Sequence, residues 1–369
     1  MKVNTISLNS VRLNTIALNH IGEIRSGGGG SKPSPIPQWI REHIVFYYDV
    51  KKQGATNETL KESAYLQDLS GKGRRMKLNN FLFAEMSGVG GYNDNFSNWR
   101  TDSNNGAVKI ESDSSIVIQS VKIEYKGVLY QDSAKKATLK CNITGITEEL
   151  KGKLIFRYTD AEGGKNITLE NGYFEFNSSE YEGLSGWYGF TSKQPIDNCN
   201  ITITQIPEYP GALVTDGVDD YGLVENLSSG VKMLFMTVNP IGDFNIGKMY
   251  YSQRYNPIDI TPFYIFTGGT NIAYAGNRDG LTYINGVLNK SIKYNELFGV
   301  KHTITTVNAN VKPETSKAPS FFWEEGNTKN YCSRLAFCNS IAFDSIPTEA
   351  DGFTEQELID YVLTNIIGQ

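Results

Sequence analysis

Cysteine and histidine are scarce in this chain of 369 residues: Cys141, Cys199, Cys332 and Cys338, with His20, His43 and His302. No two cysteines form a C-x-x-C pair and the histidines are scattered, which excludes a clustered structural zinc site. So few cysteines fit a chain that needs no oxidising compartment. No run of about 18 apolar residues occurs, so no transmembrane helix is expected. The N-terminus lacks the continuous apolar stretch of a signal peptide. The sequons at Asn142, Asn166, Asn200 and Asn226 therefore read as ordinary Asn/Thr-rich sequence rather than as glycan acceptors. Positive charge is not in excess. The 35 Lys and Arg against 40 Asp and Glu leave a net charge of −5, which argues against a nucleic-acid coat. Aromatic residues, by contrast, are plentiful. Eighteen Phe, 21 Tyr and 4 Trp can fill a sizeable core and exclude wholesale disorder. The length suggests about two or three domains.

Four zones follow along the chain. Residues 1–22 contain an echo, Asn4-Thr5-Ile6-Ser7-Leu8-Asn9 and Asn14-Thr15-Ile16-Ala17-Leu18-Asn19. Ile6 and Leu8 share one side of an extended chain, as do Ile16 and Leu18. Two such short strands cannot bury their apolar face alone, so they are expected to anchor on another surface. Residues 23–37, with Gly27 to Gly30 and then Pro33, Pro35 and Pro37, read as a linker of hinge and stiff spacer. Gly30-Ser31-Lys32 does not make a phosphate loop, because proline follows the lysine and no strong strand precedes it. The main domain is read as split, over 38–106 and 211–369. Its short strands include Ile44 to Tyr48, Leu234 to Val238, Thr303 to Val307 and Leu335 to Phe343, and residues 88–106 read as loop. Asn285-Gly286 is a two-residue hairpin turn. Residues 107–210 alternate at Val121, Ile123 and Tyr125 and at Leu154, Phe156 and Tyr158, and have the size of one small inserted β-sandwich. The chain closes on a helix. Thr354 and Glu357 form a capping box, and Leu358, Ile359, Tyr361, Val362 and Ile366 lie on one face, read as packing on the sandwich.

Three stretches occur in a telling order: Asp68-Leu69-Ser70-Gly71-Lys72-Gly73, then Leu213 to Tyr221 with Asp216-Gly217-Val218-Asp219-Asp220-Tyr221, then Tyr283-Ile284-Asn285-Gly286-Val287. Together they resemble the concanavalin A-like, laminin-G-type jelly roll. Ala336 to Asp344, before Pro347 and Thr348, is similar to that family's returning strand. The resemblance covers roughly 40–100 and 211–369. The gap of about 110 residues between the first two motifs departs from the family, which is the reason for reading an inserted domain. The leader is similar to N-termini of virion proteins from tailed phages of gut Bacteroidetes, crAss-like phages among them. That resemblance implies a surface-exposed component of head or tail, anchored to other virion proteins through residues 1–22, homo-oligomeric, and facing a bacterial surface glycan.

Catalytic chemistry finds little to work with. Retaining glycoside hydrolysis needs paired carboxylates roughly 5–5.5 Å apart. Glu111-Ser112-Asp113 approaches the E-x-D-x-x-E spacing, but Ile116 stands where the third acid belongs. No G-x-S-x-G elbow exists, since Gly183-Leu184-Ser185-Gly186 stops short. Asp216, Asp219 and Asp220 offer the hard oxygen ligands that suit calcium, although aspartates also cap turns and the last two point to opposite sides of an extended chain. No other cofactor is expected. Glycan contact is expected from loop aromatics, Trp187 with Tyr188 between Gly183, Gly186 and Gly189, and Trp323 before Glu324-Glu325; aromatics equally fill cores. The sequence therefore supports an all-β, non-enzymatic structural virion protein. The competing readings are a free carbohydrate-binding lectin and, less well supported, a glycan hydrolase.

Overall fold

The computed structural model describes residues 34–368 except 58, 61–63, 82–94, 136–137, 228–229, 242–248, 254–262, 267–279, 290–296, 310–318 and 323–331. The ribbon of Ile6, Leu8, Ile16 and Leu18 and the glycine run lie outside the described residues, as does Trp323. The described chain is an all-β sandwich protein whose strand pairs are antiparallel throughout. It divides into two compact units, one holding the residues up to 82 and from 211 onward, the other residues 83–210.

In the first unit, a seven-stranded sheet runs Ile44–Asp49, Leu335–Phe343, Met233–Pro240, His302–Val307, Leu281–Ile284 and Val287–Leu288, with Leu213–Val214 beside Leu335–Phe343. A six-stranded sheet runs Phe263–Phe266, Met249–Gln253, Ser320–Phe321, Tyr221–Val224, Met76–Asn79 and Tyr65–Leu66. All six residues of Ile44–Asp49 and all nine of Leu335–Phe343 are buried, because these strands are covered on both faces. On one face Phe46 and Tyr48 meet Phe321, which also contacts Tyr251 and Phe337. On the other, Tyr47, Phe235, Ile341 and Phe343 pack against two short helices. Helix α1 (Ile36–His43) contributes Ile36, Trp39 and Ile40, and helix α2 (Glu355–Val362) contributes Leu358, Ile359 and Val362.

Helix α1 corrects the reading of residues 23–37 as linker to its end. Pro35 and Pro37 sit at its first turn, where proline removes no needed hydrogen bond, so they start a helix instead of stiffening a spacer. Helix α2 forms as its sequence dictates: Thr354 accepts from the Glu357 amide, and the Glu357 carboxylate accepts from the Thr354 amide. Asn285 and Gly286 both take positive φ, 50° and 83°, as a primed hairpin turn requires. The Asp68 turn is held by that side chain, which accepts from the amides of Tyr47, Ser70 and Arg74.

The second unit is a sandwich of two five-stranded sheets. One runs Gly163–Thr168, Leu154–Asp160, Trp187–Ser192, Leu129–Asp132 and Arg100–Thr101; the other runs Gly172–Asn177, Thr138–Thr144, Ile201–Gln205, Ser115–Val121 and Gly106–Ser112. Their inward faces share one core, with Ile116, Ile118, Leu139, Ile143, Phe156, Phe176, Phe190 and Ile203 in it. Two boundaries shift from expectation. Residues 95–106 belong here and not to the split domain, because Phe96 and Trp99 insert into this core and Arg100–Thr101 joins its sheet. The strand expected through Val121, Ile123 and Tyr125 ends at Val121. Tyr125 adopts φ 58°, and Ile123 and Tyr125 are exposed in a turn.

Candidate functional site

Strand periodicity decides which side chains of the second unit reach solvent. Along Trp187–Ser192, Tyr188 and Phe190 point into the core, so Trp187, Gly189 and Thr191 take the opposite face. The same alternation on Leu154–Asp160 buries Leu154, Phe156 and Tyr158 and turns Arg157 outward. Register then assembles one row across the whole sheet: Arg100 opposite Tyr130, Tyr130 opposite Gly189, Gly189 opposite Arg157, and Arg157 opposite Asn166. Trp187 sits one step along from Gly189, opposite Asp132 and diagonal to Arg157. Diagonal neighbours on a sheet lie about 7–8 Å apart.

Local chemistry fixes the side chains of this face. The Trp187 ring meets Tyr130 edge-on, with centroids 5.7 Å apart, and both residues are half-buried. A Cβ at Gly189 would collide with the Leu129 carbonyl oxygen and the Tyr130 backbone, so only glycine admits this close approach. The Nη2 end of Arg157 reaches Gly164, where an added Cβ would stand 2.7 Å from it. Its Nη1 donates to Asn166 Oδ1 at 3.0 Å, and its guanidinium lies 5.3 Å from the centroid of the Tyr125 ring. Tyr125 belongs to the 122–128 turn, which is tied to the sheet by Tyr125 N donating to the Ser192 carbonyl and Thr191 Oγ1 donating to the Lys126 carbonyl. The result is a row with buried Gly189 at its centre, flanked by half-buried Tyr130, Trp187 and Arg157, with Gly164 and Asn166 exposed at its edge.

The sequence-derived candidates fare differently. Trp187 joins this face from the first position of its strand, not from a loop. Tyr188, its neighbour, is fully buried among Trp99, Phe156 and Phe176 and donates its hydroxyl to the Lys135 carbonyl. Adjacent strand residues face opposite ways, so Tyr188 cannot stack on a ligand. Glu111 pairs with Lys109 at 2.8 Å. Asp216, Asp219 and Asp220 do converge, with one carboxylate oxygen from each within 4.8 Å of the others. The chain bends between them, with Gly217 at φ 76°, and this cancels the opposed directions expected of an extended segment. The cluster also caps its own turn: Asp216 Oδ1 accepts from the Val218 and Asp219 amides, and Asp220 Oδ2 accepts from the Asp216 amide. Three carboxylates supply only part of the six to eight oxygens that calcium takes. Tyr130, Arg157, Asn166 and Tyr125 escaped the sequence reading. For Arg157 the signal was the outward half of the alternation whose inward half, Leu154, Phe156 and Tyr158, was legible; Tyr125, in a turn, had none. Comparison with family models, with curated proteins and with solved structures finds no match for this chain.

Proposed function

We propose that this chain is a non-enzymatic adhesive structural protein of a phage virion. Residues 1–22 dock it to the particle by adding strands to a partner, and its β-sandwich units are displayed outward, where the second unit touches bacterial surface glycan. The observation that carries the adhesive part is the outward row of the second unit, in which half-buried Trp187 and Tyr130 stand together beside the hydrogen-bonded Arg157 and Asn166. Aromatic rings pack on the apolar faces of sugar rings while neighbouring donors orient the hydroxyls. The anchoring part rests on the repeated Asn-Thr-Ile-x-Leu-Asn leader and the glycine run behind it, because main-chain pairing gives affinity without a deep pocket. Single shallow sugar contacts are weak, and copies tethered on one particle gain avidity.

The test has two arms. The full chain should retain glycans on an array and lose them on Trp187→Ala, and the protein lacking residues 2–22 should fold but fail to enter particles. Normal incorporation of that truncation overturns the anchor and favours a free lectin, which the same face would serve equally well. An empty array overturns adhesion.

A further inference from the structure

We infer that the saccharide taken by the Trp187–Arg157 face is acidic, a pyranose carrying a carboxylate; this rests on the adhesive reading above. Charge is the first ground. Arg100 and Arg157 stand on one cross-strand row, and among the described residues neither guanidinium has a carboxylate within ion-pair distance. Four lysines of this unit do have one: Lys109 with Glu111, Lys140 with Glu175, Lys151 with Glu148, and Lys165 with Glu162. The row thus holds two guanidinium groups without an ion pair, and its nearest acid, Asp132, stands opposite Trp187 and not opposite Arg157.

Geometry is the second ground. Arg157 gives Nη1 to Asn166 Oδ1, while Nη2 lies beside Gly164, an exposed residue without a side chain. A guanidinium has five N–H donors in a rigid fork, so one hydrogen bond to Asn166 fixes the plane and leaves a pair free for both oxygens of a carboxylate. The Tyr125 ring braces the guanidinium from the turn. Trp187, diagonal to Arg157, is placed to pack on the ring of the same sugar whose carboxylate Arg157 accommodates. Arg157 is half-buried, so a pair formed there is screened less than one on an open surface.

The inference is tested with the full chain on matched neutral, carboxylated and sulfated oligosaccharides, by array and by titration calorimetry. Carboxylated ligands should be preferred, should bind more weakly as salt is raised, and should lose roughly ten-fold or more in affinity on Arg157→Gln. Arg157→Lys, which keeps the charge but not the fork, should recover only part of that loss. Arg100→Gln, at an exposed position, should give a smaller loss without disturbing the fold, and Lys109→Gln on the other sheet should give none. Equal retention of neutral and carboxylated ligands, or an Arg157→Gln protein that keeps its melting temperature and its preference, overturns the acidic assignment and leaves adhesion standing. Selective retention of sulfated ligands alone overturns the carboxylate. Retention of nothing overturns both readings together.

Discussion

His302 begins a buried strand, and its imidazole is almost wholly withdrawn from water. Nδ1 lies 2.8 Å from the Val300 carbonyl oxygen, which can only accept, so Nδ1 carries the proton; among the described residues Nε2 has no hydrogen-bond partner. Burial holds the pKa of this imidazole below its ordinary value, more than offsetting the Val300 hydrogen bond. The unfolded chain therefore takes up a proton that the folded chain resists. The stability contributed by neutral His302 is complete above the ordinary histidine range, about 6.5, and is lost as pH falls from there through the folded pKa. Melting temperature should decline between about pH 7 and 5, and His302→Gln should flatten that slope; equal slopes in the two proteins would refute the account. The residue scale also shows where sequence reading misses. Trp187 and Tyr188 are the same kind of residue side by side, yet one is half-buried on the outward face and the other is core. Period two separates them once the strand and its inward side are known.

Among the elements, helix α2 is specified locally and helix α1 is not. The reciprocal Thr354 and Glu357 hydrogen bonds close α2 from residues three apart, and the same bonds hold the Glu357 carboxyl below its usual range. Thr354→Ala should lower stability by about 1 kcal/mol, read from chemical denaturation, and the loss should be greatest above the ordinary carboxylate range. Helix α1 has eight residues with proline at its start, too short to persist alone in water. It stands because Trp39 packs against Phe343 and Phe353 from the far end of the chain. No local pattern announces those contacts, and three nearby prolines point the other way. Hairpin 281–288 belongs with α2, since Asn285-Gly286 names its own turn.

As a whole molecule, among the described residues, the core of the second unit draws only on residues 96–203 and shares none with the helix-covered core of the first. Residues 83–210 produced alone should therefore melt as one cooperative transition and keep the Trp187–Arg157 face; a broad, non-cooperative melt would refute an independent fold. The amino-acid order by itself determined the all-β character, the hairpin turn and the capped final helix, because each depends on residues two to four apart and on strand periodicity. It also brought Asp216, Asp219 and Asp220 close in the chain, but only the bend at Gly217 made their carboxylates converge. Tertiary structure alone decided the candidate glycan face. Arg100, Tyr130, Gly189, Arg157 and Asn166 come from five strands out of sequence order, and a one-residue slip in any pairing would send that strand's contribution to the other face. Register is fixed by burying Phe156, Tyr188 and Phe190 on the inward side, so the same packing that hides those rings is what places the arginine and the tryptophan together outside.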